Sequence, residues 1–142
     1  MKRQTGLMFV ALTLLASSLC YAANDNRVMV ELPVPMKDHM LQNMRGHLEV
    51  IDQLLKLLSE EKLDQASELA ESELGMSSLN KHGASHIAPY YPEAMRQAGS
   101  AMHKSASQFS RVVQEGDVLA SVKALRKITA ACTACHAGYR VH

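Results

Sequence analysis

"ACTACHAGYR", residues 131–140, carries two cysteines and a histidine within five positions. On a helix Cys132 and Cys135 lie three positions apart and His136 lies four beyond Cys132, so their side chains project from one face. The surrounding sequence supports a helix, because its apolar side chains recur at helical spacing. These side chains are Val122, Leu125, Ile128 and Tyr139. The stretch therefore presents two thiols and an imidazole together at the end of a helix.

The chain before this stretch has the same helical character, with apolar residues every three or four positions and no convincing alternation of period two. The spacing predicts helices at about residues 35–59, 63–74 and 92–115, and a fourth from Asp117 to the C-terminus. Prolines before the first helix, glycines after the second and third, and Asp117 before the fourth suit helix ends. These are Pro33, Pro35, Gly75 and Gly116.

Apolar stripes on these helices favour an all-α fold with one core. The residues predicted to face inward are Met40, Met44, Leu48, Ile51, Leu55 and Leu58 in the first helix, and Met95, Met102, Ala106, Phe109 and Val113 in the third. Four helices with facing stripes and one longer connection, residues 76–91, predict an antiparallel four-helix bundle. A compact arrangement of the same helices other than a bundle also fits the pattern.

The first 22 residues have the features of a secretory signal peptide, with two basic residues, an apolar run and small residues around Ala22. The apolar run is about 13 residues long, short of the roughly 20 that cross a bilayer, which argues against a membrane anchor. Leu19 before Cys20 argues against a lipoprotein anchor. Residues 1–22 are therefore predicted to be removed on export to the periplasm, leaving one domain over residues 23–142 with no integral membrane segment.

Removal of the leader leaves 13 basic residues against 14 acidic ones, and two cysteines. A chain with almost no net charge lacks the excess of basic residues that is typical of nucleic-acid-binding proteins. No pairing of acid and base groups in a substrate pocket is recognisable, so the sequence does not predict an enzyme. Both remaining cysteines belong to the stretch at residues 131–140.

Cys-x-x-Cys-His is the attachment signature of c-type haem, in which two sulfurs bond the porphyrin and the imidazole ligates the iron. Three alternatives remain. A thioredoxin-like pair needs a βαβ context and a helix N-terminus, whereas these thiols lie at a helix C-terminus. A disulfide would enclose only two residues and stabilise little. A zinc site needs a fourth ligand, such as His82 or His86. Predicted export favours covalent haem over all three.

The haem motif at the end of the last helix, followed by an aromatic and a basic residue in "CHAGYR", resembles the class II c-type cytochromes of the cytochrome c′ type. The resemblance covers the whole mature chain. It implies an antiparallel four-helix bundle with one haem c, held by two thioether bonds near the C-terminal end of the fourth helix. Cys132, Cys135 and His136 match the motif directly. Members of this family are often homodimers through the first two helices, and they either leave the sixth iron position open or fill it with a Met from the first helix.

Met40 is the predicted sixth ligand. In an up-down bundle the start of the first helix lies beside the end of the fourth, and Met40 and His136 both lie roughly 8 Å or less from those ends. Met44 is one turn deeper, and ligation by His47 instead of a methionine is a further alternative. Met residues at helical spacing are also common in ordinary cores. His82 and His86 form a pair four residues apart that would suit a small copper or zinc site if the segment were helical.

Ligation by Met40 and His136 predicts an electron carrier that serves redox partner proteins, because thioether ligation raises the reduction potential and occupies the site where a substrate would bind. An open sixth position would instead suit a protein that binds a gas such as nitric oxide or carbon monoxide. A structural or metal-delivery role of the Met-rich and His-rich segments is the third hypothesis.

Overall fold

The computed structural model describes residues 25–141. The predicted signal peptide, residues 1–22, lies outside these residues. The elements in chain order are β1 (Val28–Val30), α1 (Val34–Ser59), α2 (Leu63–Glu73), α3 (Ala84–Ile87), α4 (Glu93–Val113), α5 (Val118–Gly138) and β2 (Tyr139–Val141). Short 3₁₀ turns cover Met76–Ser78 and Ala88–Tyr90. The described chain is mostly helical, as an all-α fold requires, whereas the antiparallel bundle and the haem stay predictions.

Both ends of α1 are set by local backbone chemistry. At its start the carbonyl of Pro33 accepts hydrogen bonds from the N–H groups of Met36 and Lys37, each at 2.9 Å. At its end Glu61 adopts a left-handed φ of 55°. This conformation lets the N–H of Lys62 reach back to the carbonyl of Leu57 at 2.9 Å. The chain thereby reverses tightly into α2, as in other helix ends that have a left-handed residue after the cap.

The predicted cap of the last helix is confirmed. Asp117 precedes α5, and its side chain accepts a hydrogen bond from the N–H of Ala120 at 3.0 Å. Gly116 supplies the left-handed φ of 84° that the turn before it requires. Gly75 also follows its predicted helix, but its φ is −71°, a value that any residue can adopt. Glycine is needed at this position because a side chain does not fit. A Cβ there would lie 2.7 Å from the carbonyl oxygen of Glu71.

The helices enclose a central core. α5 packs along much of α4, and α2 lies against both α1 and α4, while α1 and α5 touch only sparsely in the described chain. The buried members of this central core are Val50, Leu54, Leu58, Ala66, Ala70, Leu74, Met102, Ala106, Phe109, Val113, Ala124, Leu125 and Ile128. All five residues predicted to face inward from the third helix are buried.

Part of the predicted stripe on the first helix is wrong. Leu48 is 71% exposed and Leu55 is 50% exposed, whereas Val50 and Leu54 are buried. At 3.6 residues per turn the inward line from Met40 passes through positions 47, 50 or 51, 54 and 58, so leucines at positions 48 and 55 fall on its flank. Val122 on α5 is likewise exposed, at 44%.

A second cluster of apolar residues, here called the end cluster, lies where the two ends of the described chain meet. Its buried members are Val30, Met40, Ile87 and Met95, and packed against them are Leu32, Met36, Leu41, Tyr91, Cys135, Tyr139 and Val141. β1 and β2 pair in parallel beside it, with Val28 opposite Tyr139 and Val30 opposite Val141. This pairing places the start of α1 next to the end of α5.

The strands correct the prediction that the last helix continues through Tyr139. α5 ends at Gly138, and the N–H of Tyr139 bonds to the carbonyl of Cys135 as the chain turns into β2. Strands of three residues are too short to display an alternating pattern, which is why no signal for them was visible.

Candidate functional site

The last two turns of α5 carry the Cys-x-x-Cys-His motif. Cys132 and Cys135 are free thiols, and both are half-buried. Cys132 packs against the central core and Cys135 against the end cluster. The side chain of His136 is exposed. The motif therefore lies at the seam between the two apolar clusters, with its imidazole open to solvent.

Burial raises the pKa of both thiols above its ordinary value, and Cys132 raises that of Cys135 further. A thiol of raised pKa stays protonated at neutral pH. Reactive redox cysteines need the opposite, a lowered pKa near positive charge or a helix N-terminus. The environment of Cys132 and Cys135 therefore does not favour a thioredoxin-like pair.

Met40 is brought to the motif by the fold. It is 7% exposed on α1 and belongs to the same end cluster as Cys135. Met44, one turn further along, is half-buried and is not among the side chains packed into that cluster. The fold thus brings together Met40 and Cys135, two of the residues that the sequence analysis singled out.

A cavity of about 600 Å³ opens beside Met40. Its walls come from α1, from the connection between α2 and α4, and from α4 itself. The walls are mostly apolar and include Met40, Met44, Leu79, Ile87, Tyr91, Met95 and Met102. Burial, with a smaller contribution from Cys135, raises the pKa of Tyr91 to about 12. The cavity has the size and the apolar lining of a small-molecule or cofactor site.

Charged residues gather at the end of α5. The Arg27 guanidinium pairs with Asp25 at 2.7 Å and holds the pKa of that carboxyl well below its usual range. Arg140 approaches the same carboxylate at 3.4 Å. Arg27 also donates to the carbonyl of His136 at 3.5 Å. Two guanidinium groups and one carboxylate leave a local excess of positive charge beside His136.

The structure places the remaining histidines differently from the sequence interpretation. Gly83 has a left-handed φ of 61°, so α3 starts after it and His82 and His86 do not share one helix. His86 is exposed, whereas the ring of His82 lies against those of His47 and His103. His103 was not predicted from the sequence to belong to any site. Its signal was its place beside Met102 on the inward face of the third helix.

Within residues 25–141 no three side chains of His, Cys, Asp or Glu stand ready-arranged to hold a metal ion. None of the helices in that range has the length and apolar character needed to cross a bilayer. Comparison of the chain with protein-family models, with curated proteins and with solved structures yields no match.

Proposed function

We propose that the protein is an exported monohaem c-type cytochrome that carries electrons, built as an antiparallel four-helix bundle. The observation that carries the proposal is the junction at the end of α5. Two free, half-buried thiols in Cys-x-x-Cys-His spacing lie there, and Cys135 shares an apolar cluster with the buried Met40. The same junction joins both ends of the described chain through β1 and β2.

The residues present fit one haem. Cys132 and Cys135 face one side of α5, both are unpaired, and each is partly accessible. The cavity of about 600 Å³, which Met40 lines, adjoins the end cluster, but its lining does not include Cys132, Cys135 or His136. A haem held by Cys132 and Cys135 at the end cluster would supply one-electron oxidation and reduction, at a potential that a thioether ligand raises.

Each residue of the site then has a role. Cys132 and Cys135 would hold the haem through two thioether bonds, each formed by addition of one thiol, sulfur and proton together, to a vinyl group. His136 and Met40 would ligate its iron. Burial of Met40 among apolar side chains keeps water away from its sulfur. Because His136 is exposed, redox partner proteins can approach the last turn of α5 closely.

The bundle and the location follow from the same site. The start of α1 must lie beside the end of α5 for Met40 and His136 to ligate one iron, and pairing of β1 with β2 supports this placement. Covalent haem attachment to exported chains agrees with the predicted leader at residues 1–22, which implies a periplasmic protein.

The test of the proposal is covalent attachment. We expect the intact mass of the purified protein, expressed with a haem-attachment system, to exceed that of residues 23–142 by one haem. The colour should stay with the polypeptide on acid denaturation and extraction into organic solvent. The matched control is the double variant Cys132→Ser, Cys135→Ser, which should lack the added mass. A colourless wild-type protein, or haem that leaves on extraction, would overturn the proposal.

A further inference from the structure

Three histidines from separate segments meet between the central core and the end cluster. They are His47 on α1, His82 in the connection before α3, and His103 on α4. The ring centroids lie 4.7 Å apart for His47 and His82, 5.6 Å for His82 and His103, and 6.1 Å for His47 and His103. All three rings line the cavity of about 600 Å³. No role in the haem site explains why three imidazoles interrupt an apolar interior.

Hydrogen bonds orient two of the rings. Nδ1 of His103 donates to the carbonyl of Leu74 at 2.8 Å, which leaves its Nε2 with a free lone pair. Nδ1 of His82 lies 3.4 Å from Oγ of Ser78. That hydroxyl donates its proton to the carbonyl of Gly75 at 2.7 Å, so it accepts from His82 and leaves Nε2 of His82 free as well.

His47 supplies the third free nitrogen. Its Nε2 is buried and has no hydrogen-bond partner within the described residues. A buried polar atom without a partner is costly, so native structures rarely keep one unless it serves a purpose. Burial, followed by the neighbouring His82 and His103, lowers the pKa of His47 to about 4. The ring is therefore neutral at pH 7, the form that ligates metals.

The segment that carries His82 is fastened to α1. The carbonyl of His82 accepts a hydrogen bond from Nε2 of His39 at 3.0 Å and from the side-chain amide of Asn43 at 3.1 Å. Glu73, the acidic residue whose charge acts on His82, is paired with Lys81. Contacts to α1 thus hold His82 in place beside His47, and the Glu73 carboxylate is already paired.

The spacing of the rings is that of a three-histidine metal centre. With metal–nitrogen bonds of about 2.0 to 2.1 Å, the ring centroids lie about 3.2 Å from the ion, and tetrahedral angles then set them about 5.2 Å apart. The three observed separations bracket this value. As they stand, the side chains are not a ready-made site. Binding therefore requires the rings to rotate about χ2, a rotation that hardly moves the centroids because the centroid lies close to that axis.

We propose that His47, His82 and His103 bind one late first-row divalent ion, Zn²⁺ or Cu²⁺, at a site separate from the haem. Imidazole is a preferred ligand of these ions, whereas Ca²⁺ and Mg²⁺ require oxygen ligands. His47 lies about 10 Å further along α1 than Met40, so the two sites use different levels of the helix. All three rings line the cavity of about 600 Å³, from which a water or a small ligand could reach the ion.

The test uses the haem-loaded protein, in which the thiols of Cys132 and Cys135 are blocked. Isothermal titration with Zn²⁺ should give one ion per chain. Cu²⁺ should give an electron paramagnetic resonance signal with couplings to three imidazole nitrogens. His47→Gln, His82→Gln and His103→Gln should each weaken Zn²⁺ binding at least tenfold, a loss of about 1.4 kcal/mol or more. His86→Gln, which changes an exposed histidine outside the group, should bind Zn²⁺ as the wild type does.

The outcomes separate this proposal from the haem proposal, because each sample is also assayed for covalent haem by mass. If no haem is present, the titration is repeated on Cys132→Ser, Cys135→Ser, and one ion per chain still supports the histidine site. Absence of binding at about 1 mM Zn²⁺ would overturn it. Equal affinity in wild type and His103→Gln would do the same. A change in the haem spectrum of His47→Gln would assign His47 to the haem and also overturn it.

Discussion

Met40 and Met44 lie one helical turn apart on α1, and their surroundings differ. Met40 is 7% exposed and shares the end cluster with Cys135. Met44 is half-buried and lines the cavity only. This difference in contacts favours Met40 over Met44 as the proposed sixth ligand of the haem iron. Helical rise gives the same preference, since it places Met40 level with His136.

Spectra of two variants test the choice. Wild-type ferric protein should be low-spin, and its ferrous form should bind carbon monoxide slowly. Met40→Ala should become high-spin, bind carbon monoxide readily and fall in potential, because Met ligation is what raises it. Met44→Ala should keep the low-spin spectrum and lose roughly 1 to 3 kcal/mol of stability through packing.

The reverse pattern, with the low-spin spectrum lost only in Met44→Ala, would assign the ligand to Met44. A wild type that is already high-spin and binds carbon monoxide at once would favour the gas-binding alternative.

His47 makes the metal-free protein sensitive to acid. Its pKa is about 4 in the folded chain, against an ordinary value of 6.5, mainly because the ring is buried. The unfolded chain therefore takes up a proton as the pH falls through 6.5, and the folded chain does so only near 4. The stabilisation is fully present above pH 6.5 and is lost progressively toward pH 4.

Urea unfolding with a chelator present should show about 1 to 2 kcal/mol less stability at pH 5 than at pH 7, an amount reduced for the solvent that reaches the ring. His47→Gln removes the titrating group and should flatten this difference. An equal loss in wild type and variant would show that another group is responsible.

At this scale the sequence predicted the residues whose spacing carries a chemical signature, namely Cys132, Cys135 and His136. It also predicted Met40 as the sixth ligand, because the regular rise of a helix places Met40 and His136 at the same level. It did not predict that His82 faces His47 and His103, since the direction of a side chain in an irregular connection depends on tertiary contacts. Here those contacts come from His39 and Asn43 on another helix.

Among the elements, the turn from α1 to α2 shows how a short connection is made. Glu61 occupies the left-handed region, and the N–H of Lys62 bonds to the carbonyl of Leu57. An L-residue other than glycine is strained there, by roughly 1 kcal/mol or more.

Glu61→Gly should therefore raise the free energy of unfolding by about 0.5 to 1 kcal/mol, since glycine relieves the strain but gains freedom in the unfolded chain. Chemical denaturation measures the change. Glu60→Gly is the matched control, because the φ of Glu60 is −97° and glycine relieves nothing there. A stability gain in the control, or none in Glu61→Gly, would contradict this account of the turn.

The first, second and third long helices, α1, α2 and α4, begin and end within about two residues of their predicted bounds, because period, proline and glycine mark the same positions. The start of α5 after Asp117 was also predicted, but α5 ends at Gly138, short of the predicted end at the C-terminus. Which face of each helix is buried was harder to predict. Leucine is equally apolar at positions 48, 54 and 55, so only the neighbouring helices decide that Leu54 is buried and that Leu48 and Leu55 are exposed. β1 and β2 exist through their pairing across the chain, which local sequence does not encode.

For the molecule as a whole, the apolar interior has two parts. The central core and the end cluster are separate groups of buried residues, and the cavity of about 600 Å³ is lined by Met102 of the first and by Met40 and Met95 of the second. A haem attached to Cys132 and Cys135 would add packing to the end cluster through Cys135, and would meet the central core only at its edge, where Cys132 lies.

The variant Cys132→Ala, Cys135→Ala should therefore be destabilised unevenly. Amide hydrogens around Met40 and in α3 should exchange much faster than in the haem-loaded protein, since the end cluster lacks its largest group. Those around Phe109 and Ile128 should stay protected. Uniform loss or uniform retention of protection would contradict a haem seated at the end cluster.

The pairing of β1 with β2 also carries a consequence for the order in which the chain folds. Val28 and Tyr139 are partners at nearly opposite ends of the described sequence, so closing this pair carries the largest loop-closure cost in the molecule. The α4–α5 hairpin, by contrast, is joined by a short turn and forms from neighbouring residues. The hairpin should therefore appear early and the strand pair late. Residues 132–136 would thus stay accessible for haem attachment until β1 pairs with β2 and completes the surroundings of Met40.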